Sequence, residues 1–240
     1  DAVHAWFTPE DPGPVIFSHV RHSGIGRCMV DRWPDPRAVL VESGGNYDLR
    51  GNPEALADSA LDDVAGFVQA SSAFEPLLRR IDPGVVVWDR VIAVLPDHID
   101  ISAPDPRIRR LTEEDAAALA QLPQKMSWIS RTWGGPAGLA ASQRALAAHH
   151  EQSVVSVAVP FFVGERFEDL GVVTHPEFRR QGLSRSCAAA VIADVRSRGH
   201  TPTWTTSPDN AGSLAVAERL GFQTHHRDVL WAIRTPIPRD

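Results

Sequence analysis

Hydrophobic positions along the chain follow two rhythms: a period of two that marks strands, and a period near 3.6 that marks helices. The opening Thr8-Pro9-Glu10-Asp11-Pro12-Gly13-Pro14 follows neither and reads as irregular, because its prolines and glycine break both patterns. Apolar runs at 27–31 and 38–42 predict two short strands, the second ended by the turn-like Ser43-Gly44-Gly45-Asn46. Between 53 and 70, Leu56, Leu61, Val64, Phe67 and Val68 fall at mostly helical spacing behind Asn52-Pro53, and predict a helix. A β-rich run at 85–95 closes this half. Ala103-Pro104-Asp105-Pro106 then sets two prolines where neither a helix nor a central strand accommodates them. The expected division is a smaller mixed α/β unit at 1–104 and a second unit at 105–240.

The second unit is more regular. Residues 107–111 predict a short strand, and Thr112-Glu113-Glu114-Asp115 has the form of a capping box ahead of an Ala/Leu helix. Trp133-Gly134-Gly135-Pro136 precedes a predicted helix at 137–149. The β-branched run 153–163, the turn Gly164-Glu165-Arg166-Phe167 and the run 169–174 predict a hairpin. Over 183–198, Leu183, Cys187, Val191 and Val195 form one apolar stripe, and Gly199 stands where a helix C-terminus favours left-handed backbone. A strand at 203–206, a helix at 211–220 ended by Gly221, and a strand at 229–233 complete the pattern. Helices alternating with strands around a central hairpin predict an α/β or α+β fold with a partly antiparallel sheet.

Composition narrows the function classes. The chain has 43% hydrophobic and 22% charged residues, enough for a proper core, and its net charge of −6 argues against a basic grip on nucleic acid or anionic lipid. No apolar run approaches the ~20 residues that cross a bilayer, and no basic stretch leads into an apolar one at the start, so the expected compartment is the cytoplasm. Cys28 and Cys187 are expected to be reduced and mostly buried. His149-His150 and His225-His226 are adjacent pairs, which rarely share a metal, and no metal is expected.

Candidate chemistry concentrates in Asp169-Leu170-Gly171-Val172-Val173-Thr174-His175-Pro176-Glu177-Phe178-Arg179-Arg180-Gln181-Gly182-Leu183-Ser184. A strand runs into a loop with paired arginines and a glycine, and the loop opens directly into a helix. The unpaired N–H groups and positive dipole end of such a helix attract an anion. Gly182 lets the backbone approach it, and Arg179 and Arg180 add fixed charge, so a diphosphate suits the loop.

This stretch resembles the signature of the GNAT acetyltransferases, Arg/Gln-x-x-Gly-x-Gly/Ala, which stands here as Arg179-Arg180-Gln181-Gly182-Leu183-Ser184 with Ser in the last place. A second element of the family follows in order, Asn210-Ala211-Gly212-Ser213 and then Glu218-Arg219-Leu220-Gly221-Phe222. The resemblance spans about 107–233. It implies a GNAT fold, a mixed and mostly antiparallel sheet flanked by helices and splayed open between the strands at 169–174 and 203–206. Acetyl-CoA is the implied co-substrate and would lie in the splay. Val172, Val173 and Thr174 would line the acetyl and pantetheine arm, and the backbone of Gln181, Gly182, Leu183 and Ser184, with Arg179 and Arg180, would hold the diphosphate. Asn210 and Ser213 would border the cofactor.

The candidate bases are Glu168 and Asp169, which period-two alternation sends to opposite faces; both also read as solvated acids at a hairpin end. Where many family members carry a tyrosine as thiolate-protonating acid, this chain has Ala217, which leaves Ser213 or unaided departure. Trp128 and Trp133 read as core anchors or as walls of an acceptor pocket. The stretch 38–51 loosely resembles the degenerate amino-terminal half of two-part GNAT enzymes, in which Tyr47 or Arg50 would be the residues to reach the acceptor. The expected activity is acetyl transfer to a primary amine of a small molecule or peptide, with a second copy of the chain as a further expected partner. The competing expectation is a non-catalytic acyl-CoA-binding module.

Overall fold

All strands of the described residues join one eleven-stranded sheet. The computed structural model describes residues 3–101 and 105–238, so Ala103 and Pro104 of the proline-rich link lie outside it. In chain order the strands are β1 (Arg27–Val30), β2 (Ala38–Ser43), β3 (Asn46–Gly51), β4 (Gly66–Ala70), β5 (Val86–Val94), β6 (Ile108–Arg110), β7 (Leu146–His150), β8 (Ser153–Val163), β9 (Phe167–Thr174), β10 (Thr201–Thr206) and β11 (Gln223–Ile233). The helices are α1 (Ile16–Ser23), α2 (Glu75–Ile81), α3 (Ala116–Ala120), α4 (Pro136–Ser142), α5 (Leu183–Ser197) and α6 (Ala211–Leu220), with a 3-10 helix at Gln124–Trp133.

Spatial order is β1-β2-β3-β4-β11-β5-β10-β9-β8-β7-β6. Only β3–β4 and β9–β10 are parallel pairs; the others are antiparallel. Each half of the chain therefore builds a hairpin followed by a parallel neighbour, β2-β3-β4 and β8-β9-β10. The last strand of each half lies against the other: β11 pairs with β4, and β5 pairs with β10. The sheet runs without a break through strands of both halves of the chain.

Two predicted helices are corrected. Residues 53–70 form two short 3-10 turns, Pro53–Ala55 and Asp58–Leu61, followed by strand β4. Gly66 has φ +151 and lies so close to Gly45 that a Cβ would come 2.1 Å from its carbonyl oxygen. That approach seats 66–70 beside β3, and the parallel ladder Asn46↔Phe67 to Leu49↔Ala70 wins over the helical spacing. The helix predicted at 137–149 stops at Ser142, because Gln143 turns to φ 55. Leu146–His150 becomes β7, paired with both β6 and β8. Helices α1 and α2 were not apparent from spacing; both follow prolines that open their first turn or precede it. Cys28 is exposed, against expectation, because β1 is an edge strand; Cys187 is buried, and the two thiols are free.

Alternation within β2 shows how the layers are built. Leu40 packs toward α2, with Tyr47, Leu49, Val68 and Trp231. Val39 and Val41 pack toward α1, with Phe17 and Phe167. Helices α5 and α6 cover the first of these faces over β7–β10, where Leu170, Val191, Ile192 and Trp204 form the largest cluster. Helix α1 and the 3-10 helix Gln124–Trp133 cover the second, which is called the α1 face below. His19 holds this layer together: its Nε2–H donates to the Thr132 carbonyl (2.9 Å), and its Nδ1 accepts from the Val163 amide (3.2 Å). Burial lowers its pKa to about 4, which keeps the ring neutral at Nδ1 as this pairing requires.

Candidate active site

Helix α5 begins without a side-chain cap. Gly182 occupies the N-cap at φ 79, Arg180 is also left-handed at φ 61, and the first intrahelical bond is Ser186 N–H to the Gly182 carbonyl (3.0 Å). The amides of Leu183, Ser184 and Arg185 are thus left without helical partners. A Cβ added to Gly182 would meet nothing within 4 Å, so the N-cap itself is uncovered. Arg179 leans back over the end of β9, its Nε 3.5 Å from the Thr174 carbonyl.

The helix start is fastened to the sheet by hydroxyls. Ser156 Oγ donates to the Val173 carbonyl (3.1 Å) and lies 2.7 Å from Thr174 Oγ1, which lies 2.7 Å from Ser184 Oγ. With the Ser156 proton spent on Val173, Thr174 donates to Ser156 and Ser184 donates to Thr174. Ser184, which stands where the resembling family prefers Gly or Ala, thus ties α5 to β9. Ser156 is a supporting residue that the sequence reading did not single out.

Beside this loop the sheet opens. The ladder between β9 and β10 runs from Phe167↔Thr201 to Leu170↔Trp204 and ends there, while β10 continues to Thr206 against β5. Thr201 N–H donates to the Arg166 carbonyl (2.8 Å) on the β10 side, and His175 N–H donates to the Val155 carbonyl (2.8 Å) on the β8 side. Alternation between these anchors turns the main-chain groups of Val172 and Thr174 toward the gap and those of Val173 toward β8. Val172 and Thr174 therefore present N–H groups to the splay, and Val173 does not.

The two candidate bases point to opposite faces. Glu168 lies under the end of α5 with no exposed surface. Both its oxygens accept from Arg198 (3.1 and 2.7 Å), and His200 Nδ1 lies 2.8 Å from one of them. Arg198 is paired in turn with Asp194, which also binds Arg110. This network is closed and sits at the N-terminal end of β9, away from the gap. Glu168→Gln should lower the melting temperature, and Arg198→Ala should cost about 3–5 kcal/mol by stranding a buried charge. Neither change should alter the pH dependence of any turnover; a shifted pH–rate profile in Glu168→Gln would contradict this placement.

Asp169 faces the α1 side. Among the described residues it has no ion-pair partner, and its Oδ1 accepts from the hydroxyls of Thr203 and Thr205 (2.9 Å each). Burial pushes its pKa up to about 6, a rise that the two threonine hydrogen bonds and the more distant Arg90 only partly offset. The next residue on this face, Gly171, leaves room for the aromatic layer above: a Cβ would come 3.0 Å from Ile129 and 3.1 Å from Trp128. Trp128 therefore walls the α1 side of the gap, while Trp133 is a core residue whose Nε1 donates to the Pro160 carbonyl (3.0 Å).

On the far side of the gap, Asn210 Oδ1 caps α6 by accepting from the Ser213 amide (2.9 Å). Ser213 Oγ accepts from Trp204 Nε1 (2.9 Å), which anchors α6 to β10. Ala217 is buried in the same core. In the first half, Tyr47 is turned into the α2 core, whereas Arg50 reaches a pocket on the α1 face. Two further charged residues, Arg90 and Asp228, pair there at 2.5 Å with Arg90 buried. Their signal in the sequence was faint: charged residues at inward positions of β-rich runs.

Comparison with known proteins bears on this geometry. A family model described as GNAT acetyltransferase matches residues 10–228. An uncharacterized N-acetyltransferase from the mutA 5′ region of Streptomyces virginiae is 40% identical over 201 residues, covering 81% of this chain and 84% of that protein. A mycothiol acetyltransferase of Rhodococcus opacus is 28% identical over 240 residues, covering 89% and 76%. Among solved structures, a GCN5-related N-acetyltransferase-like protein from Streptococcus suis superposes with TM-score 0.72 at 17% identity, covering 96% of each chain. A tandem GNAT protein of clavulanic acid biosynthesis superposes with TM-score 0.57 at 14% identity, over 99% of this chain and 93% of that one.

Proposed function

The chain belongs to the GNAT acetyltransferase family, and from that premise we propose that it transfers the acetyl group of acetyl-CoA to a primary amine by direct attack. The observation that carries the reading is the pairing of an open, uncapped start of α5 with a sheet that parts beside it. The amides of Leu183, Ser184 and Arg185 and the guanidinium of Arg179 would hold the diphosphate. Acetyl-CoA supplies an activated acyl group on a thiol that is a good leaving group.

The Val172 and Thr174 amides would meet the oxygen on which negative charge develops as the amine nitrogen bonds to the acyl carbon and the carbon–sulfur bond breaks. Asp169 would accept the proton of the incoming amine, through water where the carboxylate is covered, and its raised pKa suits a base that must work near neutrality. Ser213 Oγ accepts from Trp204 Nε1 and keeps its own O–H to donate, whereas Ala217 has nothing to donate. The thiolate of a thiol with pKa about 8.5 can depart without an acid.

The test is free-thiol release from acetyl-CoA against a panel of primary amines. Amine-dependent release with a matching acetylated product is the expected outcome. Tight binding of acetyl-CoA without turnover on any amine would favour the acyl-CoA-binding module instead.

A further inference from the structure

Asp169 has almost no surface of its own. It is 4% exposed, and Phe162 of β8 stands beside it in register. An amine held at the gap therefore has little direct access to the carboxyl, and its proton needs a carrier. Two hydroxyls touch the acid, those of Thr203 and Thr205, each donating to Oδ1 at 2.9 Å. They are alike in chemistry and distance and differ in place.

Thr203 is fully buried and pairs with Asp169 inside the parallel ladder of β9 and β10. That ladder ends one residue later, at Leu170↔Trp204. Thr205 is the first residue of β10 beyond it. It pairs with Ile92 of β5, has no register partner on β9, and is half-buried. Alternation along β10 keeps its side chain on the α1 face with those of Thr203 and Asp169. Gly13 lies toward β5, where a Cβ would come 3.9 Å from Thr205 Oγ1, and Trp128 lies toward β9, over Gly171. Of the two hydroxyls, Thr205 is the one that joins the carboxylate to the gap.

A hydroxyl so placed can pass a proton on. Its one hydrogen goes to Asp169, which is its side-chain partner among the described residues. Its oxygen keeps lone pairs with which to accept from a donor in the gap. Thr203 has the same capacity but no route to the gap, because no part of it is exposed.

We propose that Thr205 relays the proton of the attacking amine to Asp169, taking the place of the water that a covered carboxylate otherwise needs. The inference rests on the acetyltransferase reading above, with Asp169 as its base. The amine nitrogen bonds to the acyl carbon, and the electron pair of the carbon–sulfur bond leaves with the thiolate. The nitrogen gives one proton to Thr205 Oγ1, and the hydrogen that Thr205 held passes to Asp169 Oδ1. The hydroxyl is whole again, its hydrogen turned toward the gap, and the neutral acid now donates to it. Release of that proton to solvent by the reverse path restores the carboxylate. Thr203 remains a positioning residue, which orients the carboxyl without touching the amine.

Thiol release from acetyl-CoA tests it, measured across pH with the amine of the panel above that turns over fastest. Thr205→Val keeps the shape and removes the hydroxyl. Its rate on the pH plateau should fall about a hundredfold, the low end of what a positioned proton acceptor contributes, with acetyl-CoA affinity unchanged by calorimetry. Thr203→Val takes an equal hydrogen bond from the same oxygen and should lose only about tenfold, the scale of one hydrogen bond. Both should move the acid limb upward, since each hydrogen bond favours the carboxylate, while Arg90 of β5, the charged group whose field reaches Asp169, is kept in both. Thr205→Ser should recover most of the loss. A Thr205→Val rate equal to the parent's or to that of Thr203→Val would overturn the relay, as would a serine variant no faster than the valine one. Thr205→Ala removes the same hydroxyl with less bulk and carries the same expectation if the valine variant fails to fold. Asp169→Asn separates the two readings. If it is slow while Thr205→Val is parental, the relay alone falls; if it is parental, base and relay fall together. A parent that turns over no amine overturns the acetyltransferase reading and the relay with it.

Discussion

Asp169→Asn should lower turnover by about 10²–10⁴-fold, the usual contribution of a positioned general base, while the protein becomes more stable at neutral pH. Both effects come from one cause. Burial raises the carboxyl from 3.8 to about 6, a rise that the two threonine hydrogen bonds and the more distant Arg90 only partly offset. Between those values the folded state holds more protons than the unfolded one, so stability falls as pH rises through the window. Above pH 6 the buried carboxylate costs the fold on the order of 2–3 kcal/mol. Asparagine keeps the Oδ1 acceptor for Thr203 and Thr205 and removes the charge. The variant should therefore melt higher than the parent at pH 8 and level with it at pH 3. The parent's rate should rise with pH on an acid limb near 6 that the variant lacks. Unchanged rate and an unchanged acid limb would remove Asp169 from the reaction.

Gly182→Val should abolish acetyl-CoA binding while leaving the fold intact. The position is left-handed, at φ 79, which a β-branched residue resists. Its Cβ would enter the open space beside the N-cap, where the proposed diphosphate would approach the backbone. Gly182→Asn separates the two effects, since asparagine tolerates this backbone at small cost yet still adds bulk. Calorimetry should find binding lost in the valine variant and weakened by at least about a hundredfold in the asparagine variant, equivalent to roughly 3 kcal/mol. Parental affinity in Gly182→Asn would show that the diphosphate does not approach this backbone.

The fold class was legible in the alternation of helices and strands, and what was missed depends on contacts distant in sequence. The loop proposed for the diphosphate is local: Arg179, Gly182 and the stripe of α5 lie within a few residues of one another and show as spacing. The choice between Glu168 and Asp169 is not local. It depends on Arg198, some thirty positions later, and on Thr203 and Thr205, which only the parallel ladder with β10 brings alongside. Strand β4 was hidden for the same reason, since the contact of Gly66 with Gly45 and the ladder with β3 outweigh a helical spacing of apolar residues. The end of α4 turned on one left-handed residue, Gln143, which no motif announces. The lodging of β5 between β10 and β11 is a property of the whole sheet.

Hydrogen exchange along the backbone, measured with and without acetyl-CoA, reaches the proposed diphosphate cradle directly. Added cofactor should slow exchange in peptides covering 171–174 and 181–185, leaving the equivalent turns at 53–61 untouched. Protection confined to other segments, or none at saturating acetyl-CoA, would contradict the cradle and the enzyme built on it.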